Sequence, residues 1–158
     1  MKTLIFSGLL ILSSIDVYAL EFNSGEKKVH LIELYTSQSC SSCPPAEAWL
    51  SNLKSSDRLW ENFIPVSFHV SYWNHLSWRD QFSKQEFSNR QRQYHQVIHS
   101  GVFTPQVILD GQNFYGWRKS IESPYLNSNS KSGNLNVKVD SFYETANLSF
   151  LPTQKNKD

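Results

Sequence analysis

The stretch VHLIELYTSQSCSSCPPAEAWLSNL, residues 29–53, combines a strand, a Cys-x-x-Cys pair and the start of a helix. Residues 29–35 are apolar, aromatic or β-branched apart from His30 and Glu33, which predicts a central strand covered on both faces of a sheet. Residues 36–39 are polar and predict a short loop. The loop is expected to bring Cys40 to the surface at one end of the sheet.

A helix is predicted to begin at or near Cys43. Pro44 and Pro45 lack a backbone N–H, which is tolerated in a first helical turn because N–H groups there have no intrahelical acceptor. Helical spacing then continues through the apolar residues Ala46, Trp49, Leu50 and Leu53. A sulfur at this helix start lies near the positive end of the helix dipole and within reach of the Ser42 and Cys43 amides, which favours its thiolate form.

This pattern makes Cys40 the candidate nucleophile and Cys43 the candidate resolving thiol. Cys43, one turn into the helix, can attack a mixed disulfide formed at Cys40. A Cys-x-x-Cys pair is also common as an inert structural disulfide and as part of a metal site. A disulfide that closes so small a loop gains little entropic stabilisation, which favours a redox role over a structural one.

Residues 1–19 have the pattern of a secretory signal. They carry Lys2, an apolar run from residue 4 to residue 15, and the small-residue cleavage pattern Val17-Tyr18-Ala19. The apolar run is short for an uncleaved membrane anchor. We therefore expect a periplasmic or secreted protein, with its cysteines in an oxidising compartment.

Two further elements follow the first helix. Residues 64–70, IPVSFHV, predict a second strand, and a helix between two strands gives a right-handed βαβ unit. A second helix is predicted over residues 83–99, with a capping box at residues 83–86 and an end at Gly101. Its arginines and glutamines, including Arg90 and Arg92, are expected to form a solvated surface.

Residues 71–82, SYWNHLSWRDQF, are rich in aromatic side chains and follow neither the helical nor the strand period. Because they follow a strand end, they are expected on the same side of the sheet as Cys40, where α/β proteins bind ligands. They are interpreted either as a wall of a substrate groove or as a small core beneath a long loop.

The last third of the chain begins with a strand headed by Pro105, a position where strands accept proline. Asp110 and Gly111 predict a hairpin turn, with a return strand over residues 112–117. The later predictions are a short helix near residues 120–126, one or two strands within residues 134–150, and a disordered tail over residues 152–158.

Composition limits the classes of partner. The chain of 158 residues suits one compact domain better than two, and a formal net charge of +1 disfavours nucleic acid and anionic membranes as partners. The sequence lacks a Walker loop, a dinucleotide fingerprint and a catalytic-serine elbow. We expect no cofactor, and no membrane association once the signal is cleaved.

The order of elements resembles the thioredoxin fold: strand, Cys-x-x-Cys at a helix start, strand, helix, Thr-Pro, strand and hairpin. More closely, the chain resembles the secreted family catalogued as domain of unknown function 1223. The motifs are ELYTSQ (33–38), CSSCPP (40–45), SFHVSYW (67–73), RQRQY (90–94), TPQ (104–106) and DG (110–111). The resemblance covers about residues 29–117, and members usually continue into further C-terminal strands, so this chain looks short.

The resemblance implies an α/β, thioredoxin-like three-layer fold with a central mixed sheet and a short C-terminal β extension. The expected division is a signal at 1–19, a thioredoxin-like domain at 20–126, and C-terminal strands with a tail at 127–158. It also implies that the Thr104-Pro105 bond is cis and lies against the cysteine pair. It suggests thiol chemistry but supplies no established substrate.

Two further residues are candidates for tuning the site. Glu33 is a candidate proton shuttle for Cys43, since superfamily members often have an acid beneath the cysteines; the alternative is an ion pair with an arginine on a helix. His69 is a candidate thiolate partner or metal ligand, and a simple hydrogen-bonded histidine is the favoured interpretation.

Three functions fit these residues. The expected one is a thiol-disulfide oxidoreductase in which Cys40 and Cys43 exchange disulfides while Thr104 and Pro105 pair with the partner chain. Its partners would be protein thiols and disulfides in the exported compartment. The alternatives are a copper- or zinc-binding protein that uses both cysteines and His69, and a binding module with a structural disulfide.

Overall fold

The computed structural model describes residues 18–119 and 130–153. They belong to two compact units, a central unit of residues 28–119 with residues 130 and 131, and a terminal unit of residues 18–27 with residues 132–153. The central unit contains the strands β2 (His30–Thr36), β3 (Phe63–His69), β4 (Gln106–Leu109) and β5 (Gln112–Asn113), and the helices α1 (Pro44–Asn52) and α2 (Gln85–Ile98). Neither of these helices is long and apolar enough to cross a membrane.

The four strands of the central unit form one mixed sheet in the order β3-β2-β4-β5. β2 pairs in parallel with β3 and antiparallel with β4, so the predicted central strand and the predicted βαβ unit are confirmed. β5 pairs antiparallel with β4. The predicted α/β class with a mixed sheet is confirmed, and the arrangement is compatible with a thioredoxin-like fold.

Alternation along β2 separates two apolar clusters. Ile32 and Leu34 pack with Ala46 and Trp49 of α1, and this larger core also holds Leu53, Phe63, Val107 and Trp117. Tyr35 lies in the second cluster, with Val70, Ile108 and residues of α2 such as Tyr94. The sheet is therefore covered on both faces, as the apolar β2 sequence predicts.

α2 differs from its prediction at its N-terminal end. Its N-cap is Lys84, without a side-chain cap bond, because the Ser83 hydroxyl donates to the Asp80 carbonyl instead. The predicted capping box is therefore wrong. The helix ends at Ile98 with His99 as its C-cap, so the predicted end at about His99 is confirmed. His99 is in the left-handed conformation, at φ 51°, two residues before Gly101.

The predicted hairpin turn is confirmed, since Asp110 and Gly111 both have positive φ. The return strand is shorter than expected: β5 covers only Gln112–Asn113, and a 3₁₀ turn follows at Gly116–Arg118. The predicted helix near residues 120–126 lies outside the described residues. So does most of the predicted disordered tail, of which residues 152 and 153 are described.

The terminal unit is an antiparallel sheet in the order β1-β6-β7, formed by β1 (Tyr18–Asn23), β6 (Gly133–Asp140) and β7 (Ala146–Pro152). The sequence predicts one or two late strands, which β6 and β7 confirm, and it does not predict β1. β1 crosses the predicted cleavage position after Ala19 and pairs with β6, as in Phe22 with Val137. Residues 20–27 therefore belong to the terminal unit rather than to the central unit.

Candidate active site

The two cysteines form a disulfide at the start of α1, with their Cα atoms 5.4 Å apart. Cys43 is the N-cap of α1, and Pro44 and Pro45 occupy its first turn. The predicted helix start is confirmed. α1 begins at this point because prolines are accepted in the first turn of a helix but not in its interior.

Cys40 is less exposed than the sequence predicts. Its relative exposure is 6% and that of Cys43 is 0%. The expected amide bonds to its sulfur also differ, since the Cys43 amide donates to the Cys40 carbonyl at 3.1 Å. Within the described residues, two hydroxyl groups contact the sulfur instead: Thr104 Oγ1 at 3.2 Å and Ser42 Oγ at 3.5 Å.

The Thr104-Pro105 bond is cis and lies beside the cysteine pair, as the family resemblance implies. The Thr104 hydroxyl donates to Cys40 Sγ, and the Ser42 hydroxyl donates to the Thr104 carbonyl at 3.5 Å. A third contact was not predicted: the indole N–H of Trp73 donates to Thr104 Oγ1 at 2.8 Å. Cys40, Thr104 and Trp73 therefore form one hydrogen-bonded chain.

Buried amides of α2 and β4 hold the segment around Pro105. The Gln91 side chain donates to the Phe103 carbonyl at 2.8 Å and to Gln106 Oε1 at 2.7 Å. Gln106 donates in turn to Asn113 Oδ1 at 2.7 Å. The prediction that the glutamines of α2 form a solvated surface is wrong for Gln91, which is fully buried.

Glu33 lies among residues of the second cluster, away from the face that carries α1. Its carboxylate is 1% exposed and accepts bonds from Arg90 Nη2 and, at 3.0 Å, from the Tyr35 hydroxyl. Burial, followed by the Glu33 charge, raises the pKa of Tyr35 well above its usual value, and the bond to Glu33 raises the pKa of Arg90. Glu33 therefore forms an ion pair with an arginine of a helix, which is the alternative that the sequence leaves open. Its role as a proton shuttle stays a prediction.

His69 is hydrogen-bonded through Nδ1, which donates to Asp80 Oδ2 at 2.6 Å. The same carboxylate accepts the amides of Gln38 at 2.8 Å and Phe82 at 2.9 Å. Burial acts to raise the pKa of Asp80, but these amides and His69 together hold it below its usual value. Across the described part of the chain, no group of three or more His, Cys, Asp or Glu side chains is placed to hold a metal ion.

Glu47 is a carboxylate on the α1 side of the sheet that the sequence analysis does not single out. Glu47 follows Cys43 by one helical turn and accepts a bond from Thr36 Oγ1 at 2.6 Å. It lines a cleft of about 460 Å³ together with His69, Gln38 and neighbouring apolar residues. The four-residue spacing from Cys43 is the signal that would have found it.

The aromatic segment of residues 71–82 divides into two parts. Tyr72 and Trp73 pack against the second cluster, which agrees with the interpretation of a small core. Trp78 and Phe82 are exposed, and the Trp78 indole donates to Gln38 Oε1 at 3.0 Å in the loop before Cys40. This exposed part borders the cysteine loop, as a groove wall would.

Comparisons with known proteins give a family and one solved structure. The model of a family described as "Protein of unknown function (DUF1223)" matches residues 31–157. A crystal structure of a protein from Agrobacterium tumefaciens is 34% identical in sequence, with a TM-score of 0.54. The similarity covers 65% of this chain and 46% of that protein, so the chain spans less than half of its length. No curated protein matches the chain.

Proposed function

The chain belongs to the family described as protein of unknown function DUF1223, and from this membership and its cysteine site we propose that it is a thioredoxin-like thiol-disulfide oxidoreductase. One observation carries the proposal: the Cys40–Cys43 disulfide lies at a helix start with the Thr104 hydroxyl donating to Cys40 Sγ at 3.2 Å. A hydrogen bond to the charged form of a group favours that form, so this donor favours a Cys40 thiolate.

The two sulfurs differ in a way that suits exchange with a partner. Cys40 retains some exposure and has two hydroxyl neighbours, whereas Cys43 is fully buried. In the reducing direction, the Cys40 thiolate attacks a substrate disulfide, forms a mixed disulfide and releases one substrate thiolate. Cys43 then attacks Cys40 Sγ, restores the Cys40–Cys43 disulfide and releases the second substrate thiolate. The oxidising direction reverses these steps.

The proposed partners are protein thiols and disulfides in the periplasm or outside the cell. The signal pattern of residues 1–19 supports this location, where disulfides persist. A partner segment would lie along Thr104 and Pro105, beside the sulfur that it exchanges with.

Trapping the mixed disulfide tests the proposal. Reduced Cys43→Ser protein is incubated with a fluorescent peptide that contains a disulfide, and products are separated without reductant. We expect a one-to-one adduct through Cys40 that dithiothreitol removes, because the resolving thiol is absent. The matched variant Cys40→Ser should form little adduct, and reduced wild-type protein should turn over without accumulating one.

Two results would contradict the proposal. One is disulfide exchange by Cys40→Ser at the wild-type rate. The other is a Cys40–Cys43 disulfide that stays oxidised under strong reductant, which would indicate a structural staple in a binding module.

A further inference from the structure

Trp73 is connected to the Cys40 sulfur through one hydroxyl group. Its Nε1 donates to Thr104 Oγ1 at 2.8 Å, and Thr104 Oγ1 donates to Cys40 Sγ at 3.2 Å. Its ring is half-buried against Tyr72 and the second cluster. The indole is therefore held in place by packing that does not involve the sulfur.

The number of protons that each group can donate sets the direction of these hydrogen bonds. An indole N–H can only donate, whereas a threonine hydroxyl has a single proton and can both donate and accept. With the indole proton directed at Thr104 Oγ1, the threonine proton is left for Cys40 Sγ. Without the indole, the hydroxyl could rotate and present a lone pair to the sulfur.

We propose that Trp73 is a positioning residue of the redox site. Its indole holds the Thr104 hydroxyl as a donor to Cys40 Sγ, and this donor favours the thiolate form of Cys40. The biological role of this residue rests on the proposed function, whereas the experiment below does not depend on it. Two other ionisable groups lie next to these atoms: Cys43, which is bonded to Cys40, and Tyr72, a half-buried ring that packs against Trp73 and whose hydroxyl has no hydrogen-bond partner among the described residues.

The test measures the pKa of the Cys40 thiol in full-length Cys43→Ser protein, from the pH dependence of alkylation by iodoacetamide. In this background, Thr104→Val should raise the pKa by about one unit, a tenfold change in the ionisation equilibrium. Trp73→Phe should raise it by about half a unit, roughly threefold, because the hydroxyl remains but is no longer oriented. Thr104→Ser, which keeps the hydroxyl, should stay close to the parent protein.

Trp78→Phe is the matched control. It removes an indole N–H from the same segment, but that N–H donates to Gln38 rather than to Thr104. We expect the pKa of Cys40 to be unchanged in this variant. If Trp73→Phe folds poorly, β-(3-benzothienyl)alanine at position 73 takes its place. This analogue replaces the N–H by sulfur in a ring of the same shape, and it should raise the pKa of Cys40 by the same half unit.

A double variant decides whether the effect passes through the hydroxyl. Trp73→Phe should add no further shift to Thr104→Val. An unchanged pKa in both position-73 variants, or an equal rise with and without the Thr104 hydroxyl, would overturn the inference. Since only reduced protein and an alkylating reagent are used, the result stands even if the trapping experiment yields no mixed disulfide.

Discussion

Arg90→Met leaves the Glu33 carboxylate without a cation inside the central unit. Glu33 is 1% exposed, while the side chain of Arg90 is 42% exposed and reaches the carboxylate from the surface of α2. The guanidinium also lies over the rings of Phe68 and Tyr94, at 5.5 and 5.6 Å from their centroids. The substitution keeps an apolar stem beside these rings and removes the charge.

We expect the free energy of unfolding to fall by about 3 kcal/mol. Removing one partner of a buried ion pair costs about 3–5 kcal/mol, since the remaining charge is left uncompensated. The lower end applies here because the Tyr35 hydroxyl still donates to Glu33 and because Arg90 is partly solvated. The lost contacts between the cation and the rings, about 0.5 kcal/mol at so exposed a site, fall within the precision of this value.

Urea unfolding followed by tryptophan fluorescence measures this change. All five tryptophans, Trp49, Trp60, Trp73, Trp78 and Trp117, belong to the central unit, so the signal reports that unit. The control is Arg92→Met, an exposed arginine on the same helix that bonds only to Asn89 in α2 among its described contacts. It should change stability by less than about 0.5 kcal/mol.

Arg90→Met made in Glu33→Gln protein completes a double-mutant cycle for this ion pair. There the buried charge is gone, so Arg90→Met should cost less than about 1 kcal/mol. An equal cost in both backgrounds would refute the electrostatic origin of the effect. So would a loss for Arg90→Met no larger than that for Arg92→Met.

Two further predictions use the same unfolding measurement. The pKa of Asp80 lies below its usual value of 3.8, so the stability it contributes is present above that pH and is lost as the pH falls through the folded-state pKa. Asp80→Asn, which keeps a partner for His69, should therefore lose less stability than wild type between about pH 5 and pH 2; a steeper loss in the variant would contradict this. Gln91→Leu should cost about 1–3 kcal/mol because it leaves the Phe103 carbonyl without its donor, and the exposed Gln93→Leu on the same helix should cost little.

Local signals in the sequence were sufficient for the elements around the cysteines. The two prolines after Cys43 admit only a helix start, and the apolar run before residue 36 admits only a covered strand. The turn at Asp110 and Gly111 is equally local. These features depend on the conformational limits of a few adjacent residues, so they could be read without knowing the fold.

The contacts of the site depended on residues far apart in the chain. Strand alternation places Glu33 on one face of β2, but it does not indicate which residue pairs with it. The partner, Arg90, lies on α2, more than fifty residues further along the chain. Trp73 lay in a segment without a period, and its indole bond to Thr104 crosses between two loops. The sequence predicts Gln91 on the solvated surface because its apolar residues alone indicate the buried side of α2.

β1 was missed because its pattern overlaps a signal sequence and because its pairing partner is distant. Phe22 pairs with Val137 and Asn23 with Asn136, so no neighbouring residues indicate the sheet. Single strands are marginal without such partners. The sheet of the terminal unit could be inferred from β6 and β7 alone, without its third strand.

The pairing of β1 with β6 also sets an order of events during synthesis. A ribosome makes β1 first, yet its hydrogen-bonding partner emerges only when residues 133–140 have been translated. The whole of the central unit, cysteines included, is translated in the meantime. Until then the residues of β1 lack their partner strand and are available to chaperones or to a second nascent chain.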